Sequence, residues 1–128
     1  MYACKYNEAI PFREQAIKLD PFPDGGSYRI LGEAYNGAER YEEAVQVYRK
    51  ALQLSPNDFL AYFGLVRTYA RLGRKEEARA VATELLKVNP KFSLDWSAKM
   101  ALKITATECH SAIYDDIELL RKVDVGLK

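Results

Sequence analysis

Cysteine, histidine and tryptophan are nearly missing from this chain, which holds two, one and one of them in 128 residues. Cys4 and Cys109 lie near opposite ends and share no spacing that a disulfide framework or a zinc site uses, so they are expected to pack as small apolar residues. His110 is the lone histidine, and zinc needs three or four ligands. Its neighbour Cys109 would point about 100 degrees away on a helix, so the two do not face each other as nucleophile and base. No catalytic residue, metal or cofactor is therefore expected, and an independent enzyme is the remote reading. Gly25-Gly26 has neither the strand nor the following lysine of a phosphate loop and reads as a helix breaker.

An excess of either charge is missing too. Nineteen basic residues face 18 acidic ones, for a net charge of +1, which argues against a dedicated nucleic-acid surface, since that normally shows as a clustered basic excess. No apolar run approaches the roughly 20 residues that cross a bilayer, and no signal peptide stands at the start. The expectation is a cytoplasmic protein with no membrane insertion. Glu42-Glu43 and Asp115-Asp116 are sequential pairs whose members project in different directions, and both are expected on solvated helix faces.

What the chain does have is a period. Tyr28, Tyr62 and Trp96 stand 34 residues apart, as do Leu31 and Leu65, Tyr35 and Tyr69, Ala44 and Ala78, and Pro56 and Pro90. Matching residue types at a fixed offset mark one helical hairpin copied and stacked. Pro21-Phe22-Pro23-Asp24-Gly25-Gly26 breaks the chain, and Ser27 is expected to cap the next helix. Tyr28, Leu31, Gly32, Ala34 and Tyr35 make its apolar stripe. After the Gly37-Ala38-Glu39-Arg40 link, Tyr41, Ala44, Val45, Tyr48, Ala51, Leu52 and Leu54 make a second helix, stopped at Ser55-Pro56. The layout then recurs from Phe59 to Pro90, with Gly73 in the turn.

Tyr28-x-x-Leu31-Gly32-x-x-Tyr35, followed by Ala44-x-x-x-Tyr48, Ala51 and Pro56, resembles the tetratricopeptide repeat over residues 25 to 92. The second unit departs from that pattern where Val66 replaces a small residue and Ala82 an aromatic one, with Gly64 relieving some of the crowding. The resemblance implies an all-α, right-handed superhelix of helical hairpins, an α-solenoid. Its divisions are a half repeat over 1–24, repeats over 25–58 and 59–92, and a diverged repeat or capping helices over 93–128. Small residues at Gly32, Ala44 and Ala51 let helices approach, while Tyr28, Tyr35, Tyr48, Tyr62 and Tyr69 fill core places rather than stack on bases.

The two ends are irregular. Ala9, Ala16 and Pro21 precede Ala44, Ala51 and Pro56 by 35 residues, so Tyr6 to Leu19 reads as the second helix of a repeat whose first is missing, with Pro11 near its opening turn. The chain is thus expected to start inside a repeat, and this unmatched helix to favour a homo-oligomer. Toward the other end Lys99 and Lys103 replace Leu31 and Tyr35. Thr105 to Glu108 has capping-box spacing, and Ala112, Ile113, Ile117, Leu120 and Val123 continue an amphipathic helix. The order Phe92 to Trp96, Leu119-Leu120-Arg121-Lys122 and Gly126-Leu127 resembles tails that follow such repeats in bacterial signalling proteins, class III adenylate or guanylate cyclases among them. That resemblance implies, as an alternative, a regulatory or dimerisation module of a larger enzyme.

The inner face of the superhelix is the candidate site. It carries Arg29, Glu33 and Asn36 in one repeat and Phe63, Arg67, Ala70 and Arg71 in the next. The expected function is non-catalytic binding of a protein or peptide, acidic in character, with the arginines on carboxylates and Phe63 as an apolar anchor. Equally open is a face whose arginines pair with Glu33 or with water. The Lys-and-Asn clamp used by some family members on chaperone tails is not recognisable, which disfavours that ligand.

Overall fold

The computed structural model describes residues 6–97, 99 and 110–127. Cys4, Cys109, Lys103 and the capping-box stretch 105–108 lie outside the described residues, as do the side chains of His110, Ala112 and Ile113. Among the described residues the regular structure is helical throughout: α1 (Tyr6–Leu19), α2 (Gly25–Gly37), α3 (Tyr41–Leu54), α4 (Phe59–Arg71), α5 (Lys75–Val88) and α6 (His110–Val123). A helical turn over 94–97 lies between α5 and α6. Consecutive helices from α1 to α5 pack on one another, α2 also reaches α4, and α6 packs on α4. The chain is the expected right-handed solenoid of hairpins.

Both first helices of the complete hairpins start on an aspartate. Asp24 accepts the Ser27 backbone N–H at 2.9 Å, and Asp58 accepts those of Leu60 and Ala61 at 3.1 and 3.3 Å. These are caps that satisfy donors the helix leaves unpaired. The cap expected at Ser27 is therefore Asp24, and Gly25-Gly26 opens α2 instead of breaking the chain, a task left to Pro21 and Pro23. Gly25 is buried against the end of α3, where a Cβ would come within 2.3 Å of Ser55 Oγ and 2.8 Å of the Ala51 carbonyl oxygen. Only glycine lets the two helices meet there. Pro11 sits deeper in α1 than expected, past its opening turn, with its side chain exposed to solvent.

The centre of the stack is the Tyr48 ring. It is fully buried between Gly32 of α2 and Gly64 of α4, where added Cβ atoms would come within 2.8 and 2.3 Å of it. Ala44, Ala51, Ala61, Leu65, Val66, Tyr69, Ala78, Ala82 and Leu85 continue the core along the stack. Tyr35 and Tyr69 are buried as expected, whereas Tyr28 and Tyr62 are only half-buried at its edge. The two departures of the second repeat form one exchange: Gly32 and Tyr48 become Val66 and Ala82, both buried, so bulk moves from α5 to α4 and offsets most of what the lost ring leaves. Gly64 accordingly serves Tyr48 rather than Val66.

Gly64→Ala is expected to destabilise the protein by about 1–3 kcal/mol, because the methyl group must displace an enclosed ring. Urea unfolding checks this. A Gly26→Ala control, at a position where the nearest atom to an added Cβ is 3.5 Å away, should leave stability within about 0.5 kcal/mol.

Candidate functional site

The inner-face residues do not stand apart as free cations and anions. Tyr48 donates its hydroxyl to Glu33 at 2.7 Å, which answers the need of a buried phenol for a partner. Glu33 in turn accepts both its oxygens' bonds from one Arg67 nitrogen, at 2.6 and 2.7 Å. Arg67 is only 5% exposed. Its guanidinium lies 5.1 Å from the Phe63 ring centroid, a cation–π contact, and Phe63 packs on Phe92 with centroids 4.9 Å apart. Arg71, one turn on, donates its Nε to Asp116 of α6 at 2.6 Å, and the other Asp116 oxygen stands 3.8 Å from Arg67 Nε. Arg29 bonds Asp58, the cap of α4, at 2.9 Å.

Electrostatics follow from these pairings. Burial pulls the Arg67 guanidinium down, but Glu33, Tyr48 and Asp116 together raise it above the usual arginine value. Burial raises the Tyr48 hydroxyl well above the ordinary tyrosine range, and the Glu33 charge adds to this. Tyr6, whose ring rests where a Cβ on Gly37 would be, is raised by burial and by Glu33 and Asp116, with Arg67 opposing.

All six expected site residues thus lie along α2 and α4, and the structure joins Glu33, Phe63, Arg67 and Arg71 into one connected network. Arg29 is set apart, committed to Asp58. Asn36 is buried, and its side-chain oxygen has no hydrogen-bond partner among the described residues. One expectation fails: Asp116 is not on a solvated face but buried against α4, because Arg71 and Arg67 supply the countercharge a carboxylate needs there, while Asp115 beside it remains exposed. The Glu33–Arg67 pair was readable in advance, since opposite charges occupy equivalent places in adjacent repeats, 34 residues apart. Asp116 carried no such signal.

A family profile for the tetratricopeptide repeat matches residues 35–102, more than half the chain, and a second profile of the same description matches residues 2–59. The chain belongs to the tetratricopeptide repeat family. It is 28% identical to the tetratricopeptide repeat-containing protein trd-1 of Caenorhabditis elegans over 85% of this chain and 14% of that protein. It is 27% identical to anaphase-promoting complex subunit 3 of Schizosaccharomyces pombe over 70% of this chain and 13% of that one. The chain therefore spans only about a seventh of the length of these curated relatives. The crystal structure of MamA aligns with a TM-score of 0.65 at 18% identity, covering 93% of this chain and 68% of that one. YrrB, described as a TPR protein with an unusual peptide-binding site, aligns with a TM-score of 0.62 at 20% identity, covering 94% and 60%.

Among the described residues no group of three His, Cys, Asp or Glu side chains could hold a metal ion, and no helix is long and apolar enough to cross a membrane.

Glu33→Gln keeps the shape of the side chain but strips the buried Arg67 of its nearest countercharge. A loss of about 2–3 kcal/mol is expected in chemical denaturation, the lower part of the range for broken ion pairs because the Glu33 side chain is 39% exposed. Glu43→Gln, on an exposed pair with Arg40, should cost under about 1 kcal/mol.

Proposed function

We propose that this chain is a non-catalytic scaffold that binds a protein or peptide segment along the inner face of α2 and α4, with acidic side chains of the ligand drawn to the arginines. The observation that carries the reading is Arg71 on Asp116: the α4 stripe already holds a carboxylate presented by a helix, at 2.6 Å, beside a second guanidinium and next to the aromatic ring of Phe63. A site that positions two arginines within reach of one carboxylate favours acidic ligands through charge-assisted hydrogen bonds. Arg29, Glu33 and Asn36 extend the same face along α2. The near balance of total charge means that attraction is local to this stripe and does not recruit polyanions, which fits a cytoplasmic protein-binding role without nucleic acid.

Arg71 is the residue to test, because its side chain is about one-third exposed whereas Arg67 is enclosed. Arg71→Ala is expected to weaken binding of acidic helical peptides about tenfold at low salt, the worth of one hydrogen bond between charged groups, with neutral peptides unaffected. Fluorescence anisotropy with both peptide sets measures this, and circular dichroism verifies unchanged helix content. Equal affinity of the variant and the unaltered protein for the acidic peptides would end the reading.

A second reading, a dimerisation or regulatory module of a larger signalling protein such as a nucleotide cyclase, draws support from the other end. Phe12 of α1 is 77% exposed and Phe22, just after it, 88%, and Leu19 lies open between them. Large apolar side chains grouped in this way favour association. On this reading the protein self-associates through α1, and Phe12→Glu with Leu19→Glu holds it monomeric. Sedimentation equilibrium over a range of concentrations gives the answer, and an unaltered chain that stays monomeric throughout excludes α1 as a dimer contact.

A further inference from the structure

Resting on the groove reading above, we propose that α6 is a built-in competitor for the α4 stripe, and that the natural ligand is an acidic amphipathic helix of a partner protein that binds by displacing it. Five residues define what α6 does there. Asp116 bonds Arg71, and Ile117 and Leu120 are almost completely buried beside it, while Asp115 and Glu118 on the other side stay in solvent. The recognised pattern is therefore a carboxylate followed by apolar residues one and four positions later, on one face of a helix.

The fit of α6 is incomplete, and this makes it replaceable. Asp116 reaches Arg71 but stops 3.8 Å short of Arg67 Nε, which is buried and has no hydrogen-bond partner among the described residues. A buried donor left unpaired is a standing cost. A ligand whose carboxylate sits about one ångström closer, or a glutamate with its longer reach, would bond both guanidinium groups and gain what α6 forgoes. Among the described helices α6 packs mainly on α4, held besides by Arg79 of α5 on the Asp124 carbonyl at 3.1 Å and by the exposed Arg121–Asp95 pair, whereas α2 to α5 each hold their neighbours. Its exchange for a partner helix thus leaves the Tyr48 core and the Glu33–Arg67 pair intact. A ligand meeting this chain competes first with a segment that is always present, which lowers its apparent affinity by the fraction of time α6 is docked.

The test uses the full chain and a labelled synthetic peptide copying residues 110–123, with Asp116 of the peptide changed to Glu. Asp116→Asn in the protein preserves shape and weakens only the internal competitor, so it is expected to bind the peptide about tenfold more tightly than the unaltered protein. Adding Arg71→Ala to Asp116→Asn should remove the gain. Hydrogen exchange on the unaltered protein, which requires no variant to fold, should show faster exchange across α6 when peptide is present, with α2 to α5 unchanged. Equal affinity for the two proteins with α6 exchange unaltered by peptide overturns the competitor while leaving the groove reading standing, because binding would still respond to Arg71→Ala. Peptide binding to neither protein also overturns it.

Discussion

The enclosure of one phenol ring sets the terms for everything around it. Tyr48 fills the space between α2 and α4 that Gly32 and Gly64 leave open, and burial obliges its hydroxyl to find an acceptor. Glu33 provides one at 2.7 Å, but a carboxylate half-withdrawn from water needs a countercharge, so Arg67 must lie against it. Arg67 is then itself enclosed and draws a second carboxylate from α6. Each group is tolerable only because the next is present. Ion pairs with a buried member add little net stability compared with an apolar alternative, yet removing either member is costly. Here the chain of partners joins α2, α3, α4 and α6, and it ties adjacent repeats to one another at equivalent positions.

The same logic explains how the second repeat does without such a ring. Moving bulk from the tyrosine position to the glycine position, as Val66 and Ala82 do, fills the space with apolar atoms that need no partner. Two ways of filling equivalent sites therefore coexist in one stack, one polar and one apolar. The turns show a similar exchange. Gly73 takes a positive φ of 76° between α4 and α5, and Glu39, in the equivalent place between α2 and α3, is held at 65°, a conformation that side chains other than glycine adopt at some cost.

Helix positions and hairpin order were legible because stacking imposes a strict period, and a period is visible in a single sequence. Tyr6–Leu19 could be recognised from alanine and proline offsets even without its companion helix. The caps were legible in principle, since Asp24 and Asp58 stand one period apart, but Ser27 at the third helical position is also a good capping type and sits closer to the first apolar residue. Composition alone does not separate the two. The site divides along the same line. Glu33 and Arg67 occupy equivalent repeat positions, and their pairing follows from stacking. Asp116 lies where the pattern has been lost, and whether a charged residue in an amphipathic helix meets water or an arginine depends on tertiary contacts that no local signal encodes.

A tension between stacking and binding runs through the α4 stripe. Arg67 faces the inner surface, but its terminal nitrogen serves the core through Glu33, and only its Nε is left without a partner among the described residues. Arg71 is the reverse: partly exposed, paired to a carboxylate from outside the repeat framework, and not needed by Tyr48 or Glu33. The family's geometry supplies the inner face, but which of its side chains are available is decided by how each repeat solved its packing. In this chain the ring of Tyr48 claims Glu33 and Arg67 for the structure and leaves Arg71 at its edge, about one-third exposed and paired with Asp116 of α6. On the proposed groove reading, variation at position 71 would alter ligand choice and the countercharge of Asp116 while leaving Tyr48 and Glu33 untouched, whereas the same change at position 67 strips Glu33 of its partner.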